Sequence, residues 1–195
     1  MAAESQRLVL ATHNRHKVVE VGRILAPRGI LIEPLPADVE LPPEVGNTFA
    51  ANALDKARAA AALTGRPAIG DDSGIEAEVL GGRPGVRSAR YAGPAATGEQ
   101  NLARLIAEVS PGSGLRYVCV VAYVEPGGEG QLFHGSCSGR MSAERRGERG
   151  FGYDPVFLPD EGTGQRTMAE LTEPEKDEIS HRGRAVRALA AWLSP

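Results

Sequence analysis

Two adjacent carboxylates, Asp71 and Asp72, follow the short apolar run 68–69 and precede Ser73 and a glycine. In α/β proteins, ligands bind beyond the carboxyl ends of strands, where loops converge. Consecutive strand residues point to opposite sides, so we expect the two aspartates to have different roles. Carboxylate oxygens are the ligands that Mg²⁺ prefers, and one or two of them suffice beside substrate phosphates. The segment therefore predicts a catalytic strand end leading into a Ser-Gly turn, although an ordinary surface turn uses the same residue types.

A polar stretch between the first predicted strand and the first predicted helix has the composition of an oligophosphate-binding loop. It combines a hydroxyl, an amide, a helix N-terminus and several cationic groups. Its residues are Thr12, His13, Asn14, Arg15, His16 and Lys17. The stretch contains no glycine, so it is not a Walker A loop. A solvated basic turn with a capping residue is the alternative interpretation.

Two further charged residues stand where they can join such a site. Glu44 lies between a Pro-Pro pair and Gly46, which stiffen its loop, and its carboxylate is a candidate partner of Asp72 around Mg²⁺. Lys56 lies in a long Ala-rich helix, one turn after Asn52 on the same face. Taken alone, each is equally well explained as an exposed polar residue.

An aromatic turn and a late basic cluster are candidates for recognising a nucleobase. The turn is Phe151-Gly152-Tyr153-Asp154, and an aromatic ring on a glycine-bent loop can stack on a base. Lys176, His181 and Arg182 precede or open the last predicted helix, and all three can donate hydrogen bonds. Beside a stacked base they would bind carbonyl acceptors and disfavour amino groups. An aromatic plug in the core and a helix-capping segment are the alternatives.

The elements that must position these residues alternate along the chain. Hydrophobic spacing and breaker residues predict helices and strands, with the last two strands forming a hairpin. The predicted helices cover residues 17–25, 49–63, 100–109 and 180–193, and the predicted strands cover residues 8–11, 29–34, 68–72, 117–124 and 131–141. This alternation predicts a mixed α/β fold.

Composition narrows the class of protein. The 195 residues suit a single domain or two lobes, and the net charge of −3 argues against a general nucleic-acid binder. No apolar run reaches the length of a membrane span, so we expect a cytoplasmic protein without a membrane partner. Cys119 and Cys137 lie in strand-like runs and are predicted to be buried free thiols. Residues 1–6 are predicted to be a disordered lead.

The motifs together resemble the inosine/xanthosine triphosphate pyrophosphatase family. Each block is weak alone, but all occur in the family's order across nearly the whole chain. The blocks cover residues 11–17, 44–57, 70–74, 80–85, 88–91, 150–157, 167–171 and 176–182. The resemblance implies hydrolysis of dITP, ITP and XTP to the monophosphate and pyrophosphate. It also implies one domain, residues 1–195, with an elongated mixed β-sheet in two lobes that is flanked by helices. The active site would lie in the central cleft, and the protein would be a homodimer.

The resemblance also implies a role for each motif residue. Lys17 and Lys56 would hold the triphosphate with help from Thr12 and Asn14, while Glu44 and Asp72 would hold Mg²⁺. Asp72 would in addition be the general base, and Ser73 would contact the substrate. Phe151 would stack on the purine against a wall shaped by Tyr153 and Asp154. The base edge would be read by Lys176, His181 and Arg182.

One departure concerns the metal, because Ala51 stands where many relatives carry an acidic residue. His13 and His16 also occupy positions where small residues are common, which we interpret as loop variation. Two alternatives stay open at this point. The chain could be a house-cleaning pyrophosphatase for other modified nucleotides, or a nucleotide-binding module without catalysis.

Overall fold

The computed structural model describes residues 6–162 and 164–193, which form six strands and five α-helices. The strands are β1 (Gln6–Leu10), β2 (Ile30–Pro34), β3 (Ala68–Ala77), β4 (Gly114–Val124), β5 (Gly130–Met141) and β6 (Phe157–Pro159). The helices are α1 (Arg15–Leu25), α2 (Phe49–Thr64), α3 (Gly98–Glu108), α4 (Glu173–Ile179) and α5 (His181–Leu193). No described helix is long and apolar enough to cross a membrane.

All six strands belong to one sheet with the order β2-β1-β3-β4-β5-β6. β1 pairs in parallel with β2 and with β3, whereas β5 and β6 pair antiparallel. Parallel neighbours need a crossover, and α1 and α2 occupy the two connections between β1, β2 and β3. The prediction of an α/β fold with a mixed sheet and helices is confirmed.

The Asp-Asp segment is not a strand end, and that prediction was wrong. β3 continues through Asp71, Asp72 and Ser73 as far as Ala77, so the predicted Ser-Gly turn is extended strand. Turn-forming residues are accommodated because β3 lies between β1 and β4 in the sheet. Ile75 beyond them is fully buried, and its backbone N–H donates to Ser88 Oγ at 2.9 Å. Tertiary pairing outweighs the local turn preference here.

Smaller differences occur at the ends of the predicted elements. Gln6 is the first residue of β1 and pairs with Ile30, so it does not belong to a disordered lead, while residues 1–5 lie outside the described part of the chain. α4 and β6 were not predicted. Cys119 and Cys137 are buried free cysteines, as the sequence predicts.

The chain divides into two compact units, each with its own hydrophobic core. Within the described residues, unit 1 holds 6–72, 119–135 and 182–193, and unit 2 holds 73–118 and 136–181. The core of unit 1 joins residues of β1, α1 and α5, among them Leu8, Val21 and Leu189. The core of unit 2 is richer in aromatic rings, including Tyr117, Tyr153 and Phe157. The single two-lobed domain and its central cleft remain predictions.

Gly70 allows α2 to pack very closely on β3 within unit 1. A Cβ atom at this position would collide with the backbone oxygen of Ala53 and press on the backbone nitrogen of Ala57. Glycine is the residue that permits such an approach of two backbones. As a result the polar face of α2, with Asn52 and Lys56, lies directly against Asp71 and Asp72.

Candidate active site

The polar loop after β1 is organised as a helix N-cap. Asn14 Oδ1 accepts from the backbone N–H of His16 at 3.0 Å and of Lys17 at 3.5 Å, and α1 therefore begins at Arg15. Thr12 Oγ1 accepts from the backbone N–H of Asn14 at 3.1 Å, which fixes the cap itself. Asparagine is a preferred N-cap because its side chain satisfies donors that the first turn leaves unpaired. The cap places Lys17 in that turn, while His13, Asn14, Arg15 and His16 are exposed.

Asp71 is the centre of a buried charge cluster in unit 1. Its carboxylate forms an ion pair with Lys17 Nζ through Oδ1, and Oδ2 accepts from Arg182 Nε at 3.0 Å. Burial acts to raise the pKa of Asp71, but the positive charges of Lys17, Arg182 and Lys56 outweigh it and hold that pKa well below its usual range. Asp71 is therefore ionised and serves as a counter-ion, with the thiol of Cys119 3.4 Å from Oδ2.

The pKa of Asp72, the next residue, is shifted in the opposite direction. Its Oδ2 accepts from Asn52 Nδ2 at 2.8 Å, and only 5% of the residue is exposed. Burial raises the pKa of Asp72, the charge of Glu44 adds to that rise, and Lys56 and Asn52 only partly oppose it. A carboxylate with a raised pKa has a higher affinity for a proton, so it is a stronger general base than a carboxylate with a lowered pKa.

Lys56 joins these groups to the loop that carries Glu44. Its Nζ donates to Glu44 Oε1 at 2.5 Å and to the backbone oxygen of Asp71 at 2.6 Å. Burial lowers the pKa of Lys56, but Asp71 and Glu44 raise it further than burial lowers it, so the ammonium stays charged. Asn52 Oδ1 accepts from the backbone N–H of Gly46 at 2.8 Å, which ties the same loop to α2 from a second point.

Arg182 lies with the charge cluster of unit 1. Besides Asp71, its guanidinium donates to Glu20 Oε2 at 2.6 Å, and only 2% of the residue is exposed. Lys176 and His181, with which the sequence grouped it, belong to unit 2. The role of Arg182 in reading the base edge stays a prediction, and its described partners are carboxylates.

In unit 2 the carboxylate of Asp154 gathers three donors. Oδ2 accepts from Lys176 Nζ at 2.7 Å and from the backbone N–H of Phe151 at 3.0 Å, while Oδ1 accepts from the hydroxyl of Tyr117 at 3.1 Å. Lys176 Nζ also lies 5.1 Å from the centre of the Phe151 ring, within the range of a cation–π contact. Asp154 therefore fixes a cation and an aromatic ring beside each other.

Gly150 makes this arrangement possible. Its φ of 73° is left-handed, and a Cβ atom there would collide with the Asp154 carboxylate and approach Lys176 Nζ to 3.1 Å. Glycine adopts this conformation without the penalty that other residues incur. After this turn Phe151 is half-buried, Gly152 is exposed, and the Tyr153 hydroxyl donates to the backbone oxygen of Ser88 at 2.8 Å.

The structure thus distributes the predicted site residues between the units. Unit 1 holds Thr12, His13, Asn14, Arg15, His16, Lys17, Glu44, Lys56, Asp72 and Arg182, and unit 2 holds Ser73, Phe151, Gly152, Tyr153, Asp154, Lys176 and His181. Four contributors were not among the predicted site residues: Glu20, Asn52, Asp71 and Tyr117. The i, i+4 spacing of Asn52 and Lys56 was a usable signal, whereas nothing local to Glu20 or Tyr117 indicates its partner.

Comparison with known proteins shows to which family this chain belongs. The model of the Ham1 family matches residues 8–192. A dITP/XTP pyrophosphatase from Frankia alni is 48% identical over 198 residues, covering 96% of both chains, and one from Cutibacterium acnes is 44% identical over 94% of both. The structure of a HAM1 protein from Coxiella burnetii superimposes with a TM-score of 0.84 at 39% identity, covering 97% of this chain and 98% of that one. The family resemblance predicted from the motifs is confirmed: this chain is a member of the Ham1 family.

Proposed function

We propose that this chain hydrolyses deaminated purine nucleoside triphosphates, namely dITP, ITP and XTP, to the monophosphate and pyrophosphate. The observation that carries the proposal is the cluster in unit 1, where Lys17 and Lys56 both contact Asp71 and the charge of Lys56 also acts on the next residue, Asp72, whose pKa is shifted in the opposite direction to that of Asp71. Relatives that share 44–48% of their residues with this chain carry the name dITP/XTP pyrophosphatase. A binding module without catalysis would have little use for a buried carboxylate of raised pKa next to two lysines.

The phosphate groups are assigned to unit 1. Lys17 and Lys56 supply positive charge. The N-terminus of α1, which Asn14 caps, also favours an anion because the positive end of the helix dipole lies there. Phosphoryl transfer needs charge neutralisation and alignment more than covalent help from the protein. The two lysines would also screen the charge of the departing pyrophosphate.

Asp72 is assigned as the general base that orients and deprotonates the attacking water. Its raised pKa matches that task, and Asn52 fixes the direction of its carboxylate. Asp71 is poorly suited to the same role because Lys17 and Arg182 lower its pKa and with it the affinity of its carboxylate for a proton. Its assigned role is to hold those two cations.

Glu44 and Asp72 are the residues that would hold Mg²⁺. The fit rests on their chemistry: they are two carboxylates in one unit, and the charge of Glu44 adds to the rise that burial causes in the pKa of Asp72. Among the described residues no three His, Cys, Asp or Glu side chains form a metal-binding group, but Mg²⁺ needs only one or two carboxylates when phosphates complete its shell. When bound, the ion would neutralise phosphate charge.

The base is assigned to unit 2. The half-buried Phe151 would stack on the purine, with Gly152, Tyr153 and Asp154 shaping that wall, and Lys176 and His181 would donate to the base edge, with Arg182 as a third predicted donor. Hypoxanthine and xanthine present a carbonyl acceptor at C6, whereas adenine presents an amino group. A donor left without an acceptor costs about 1–3 kcal/mol, so adenine is disfavoured.

The proposal also includes a homodimer in the cytoplasm, with no nucleic-acid or membrane partner. The dimer follows from the family resemblance and the location from the lack of a membrane-length apolar run, while the net charge of −3 supports a nucleotide rather than a nucleic acid as the ligand. Sedimentation of the purified chain would test the dimer directly.

The test of the proposed activity is pyrophosphate release from dITP, XTP, dATP, dGTP and dCTP, with Mg²⁺ and with a chelator. We expect dITP and XTP to exceed dATP in kcat/KM by about 5- to 150-fold, because one unpaired buried donor costs about 1–3 kcal/mol. Equal rates on all five substrates would contradict the assignment of unit 2. No release from dITP or XTP would contradict the proposed activity, and rapid release from another modified nucleotide would identify the substrate instead.

A further inference from the structure

Tyr117 connects the two donors assigned to the base edge, although it was not among the residues selected from the sequence. It lies on β4 with 6% of its surface exposed, in the core of unit 2. Its hydroxyl donates to Asp154 Oδ1 at 3.1 Å, and its ring stacks on His181 with the centroids 4.5 Å apart. One side chain therefore contacts both the partner of Lys176 and His181 itself.

The hydroxyl acts on Lys176 through Asp154. Lys176 Nζ and the backbone N–H of Phe151 both donate to Oδ2 of Asp154, and Tyr117 holds the other oxygen. Three donors around one carboxylate fix its rotation, and with it the position of the ammonium group. Hydrogen bonds to an ionised carboxylate are stronger than those between neutral groups, so this restraint is substantial.

The ring acts on His181 through its plane. The planes of Tyr117 and His181 differ by only 6°. The N–H groups of an imidazole lie in the plane of the ring, so the stack determines the plane in which His181 can donate a hydrogen bond. Tyr117 is itself held by Phe157, whose ring centroid lies 4.6 Å away at a tilt of 41°.

We propose that Tyr117 is a positioning residue that sets base selectivity, by holding Lys176 through Asp154 and by fixing the ring plane of His181. The inference rests on the proposed function, because it assumes that these two donors read a purine. It goes further because it assigns the discrimination between a 6-carbonyl and a 6-amino group partly to Tyr117, a residue that does not itself contact the base in the proposed complex.

The test compares Tyr117→Phe with the matched control Tyr91→Phe. Tyr91 also lies in the core of unit 2 and its hydroxyl also donates to a carboxylate, that of Glu108, while its ring faces Arg104 rather than Lys176 or His181. We expect Tyr117→Phe to raise KM for dITP by about tenfold and to reduce the preference for dITP over dATP similarly, with kcat changed less than about twofold. Tyr91→Phe should leave KM, kcat and the preference unchanged.

A second variant separates the ring from the hydroxyl. Tyr117→Leu removes the stack as well, so the preference for dITP should fall below that of Tyr117→Phe, which retains the ring. Thermal unfolding of all three variants shows whether the fold persists. If Tyr117→Leu does not fold, the pair Tyr117→Phe and Tyr91→Phe still decides the matter.

A readout that needs no turnover is the imidazole proton resonance of His181, assigned by its loss in His181→Asn. This resonance should move in Tyr117→Leu, which loses the ring, and stay near its wild-type position in Tyr117→Phe and Tyr91→Phe. Unchanged selectivity in Tyr117→Phe, or an unmoved His181 resonance in folded Tyr117→Leu, would overturn the proposal. If the wild-type chain releases no pyrophosphate, the proposed function fails, while the resonance still decides whether Tyr117 positions His181.

Discussion

The two units bury polar groups in different ways. In unit 1 the side chains of Asp71 and Arg182 are nearly inaccessible and pair with each other as ions, and the buried Lys56 forms an ion pair with Glu44. In unit 2 the buried ion pair of Lys176 and Asp154 is set among aromatic rings. Buried charges are expensive unless each has a partner, and they fix positions tightly when it does. The difference agrees with the proposed division of roles, in which unit 1 binds the phosphates and unit 2 binds the base.

The largest effect on activity is expected from Asp72→Asn in unit 1. The substitution keeps the shape but removes the base, so kcat should fall by about 100- to 10,000-fold while nucleotide binding persists. The folded pKa of Asp72 is raised, so ionisation opposes folding and the neutral variant should lose no stability. Pyrophosphate release and urea unfolding measure both effects, with the exposed Asp55→Asn on α2 as the control. Activity near that of Asp55→Asn would remove Asp72 from the mechanism.

Asp71→Asn should instead destabilise the fold. Removing one partner of a buried ion cluster costs about 3–5 kcal/mol in the free energy of unfolding. The folded pKa of Asp71 is lowered, so its contribution is complete above the unfolded pKa of about 3.9 and is lost as the pH falls through and below that value. The gap between wild type and variant should therefore be large at neutral pH and shrink in acid.

Urea unfolding at several pH values measures this gap, with Glu33→Gln as the control. Glu33 forms ion pairs with Arg7 and Arg66 at the surface of the same unit, so its loss should matter far less. A gap that does not depend on pH would show that the charge of Asp71 is not what stabilises the fold.

In unit 2 the expected effect is smaller and falls on binding. Phe151→Ala should raise KM for every purine substrate by about tenfold, since stacking on one base is worth about 1–3 kcal/mol, and should leave kcat little changed. Phe151→Tyr keeps a ring at this position and should restore most of the affinity. A fall in kcat with constant KM would show that Phe151 acts in the chemical step, and the proposed division of roles between the two units would then be wrong.

Local patterns predicted much of the fold, and the reason is visible in particular residues. α2 begins at Phe49 after the Thr48 cap and ends before Gly65, whose φ of 65° is left-handed, as the sequence indicates. α4 also carried a usable signal that was missed, because Thr172 and Glu175 form a capping box. The continuation of β3 through the Asp-Asp pair carried no such signal, since it depends on sheet neighbours.

The candidate site divides in the same manner. The motif residues could be found from the sequence, and most of the residues predicted to bind phosphate and most of those predicted to bind the base fall in separate units, with Arg182 as the exception. The partners of Arg182 could not, because Asp71 and Glu20 lie 111 and 162 residues away along the chain. The opposite pKa shifts of Asp71 and Asp72 could not be predicted from the sequence either, since they arise from side chains that only folding brings together.

The order in which the segments of unit 1 are synthesised has a consequence for biogenesis. Strands β1 and β2 precede every segment of unit 2 in the sequence, yet the core of unit 1 also needs Cys119 and Val121 of β4 and Ala185, Val186 and Leu189 of α5. On the ribosome, the segments of unit 2 are therefore all translated before unit 1 can close its core. The unit whose strands are translated before those of unit 2 is thus completed only after α5 has been made.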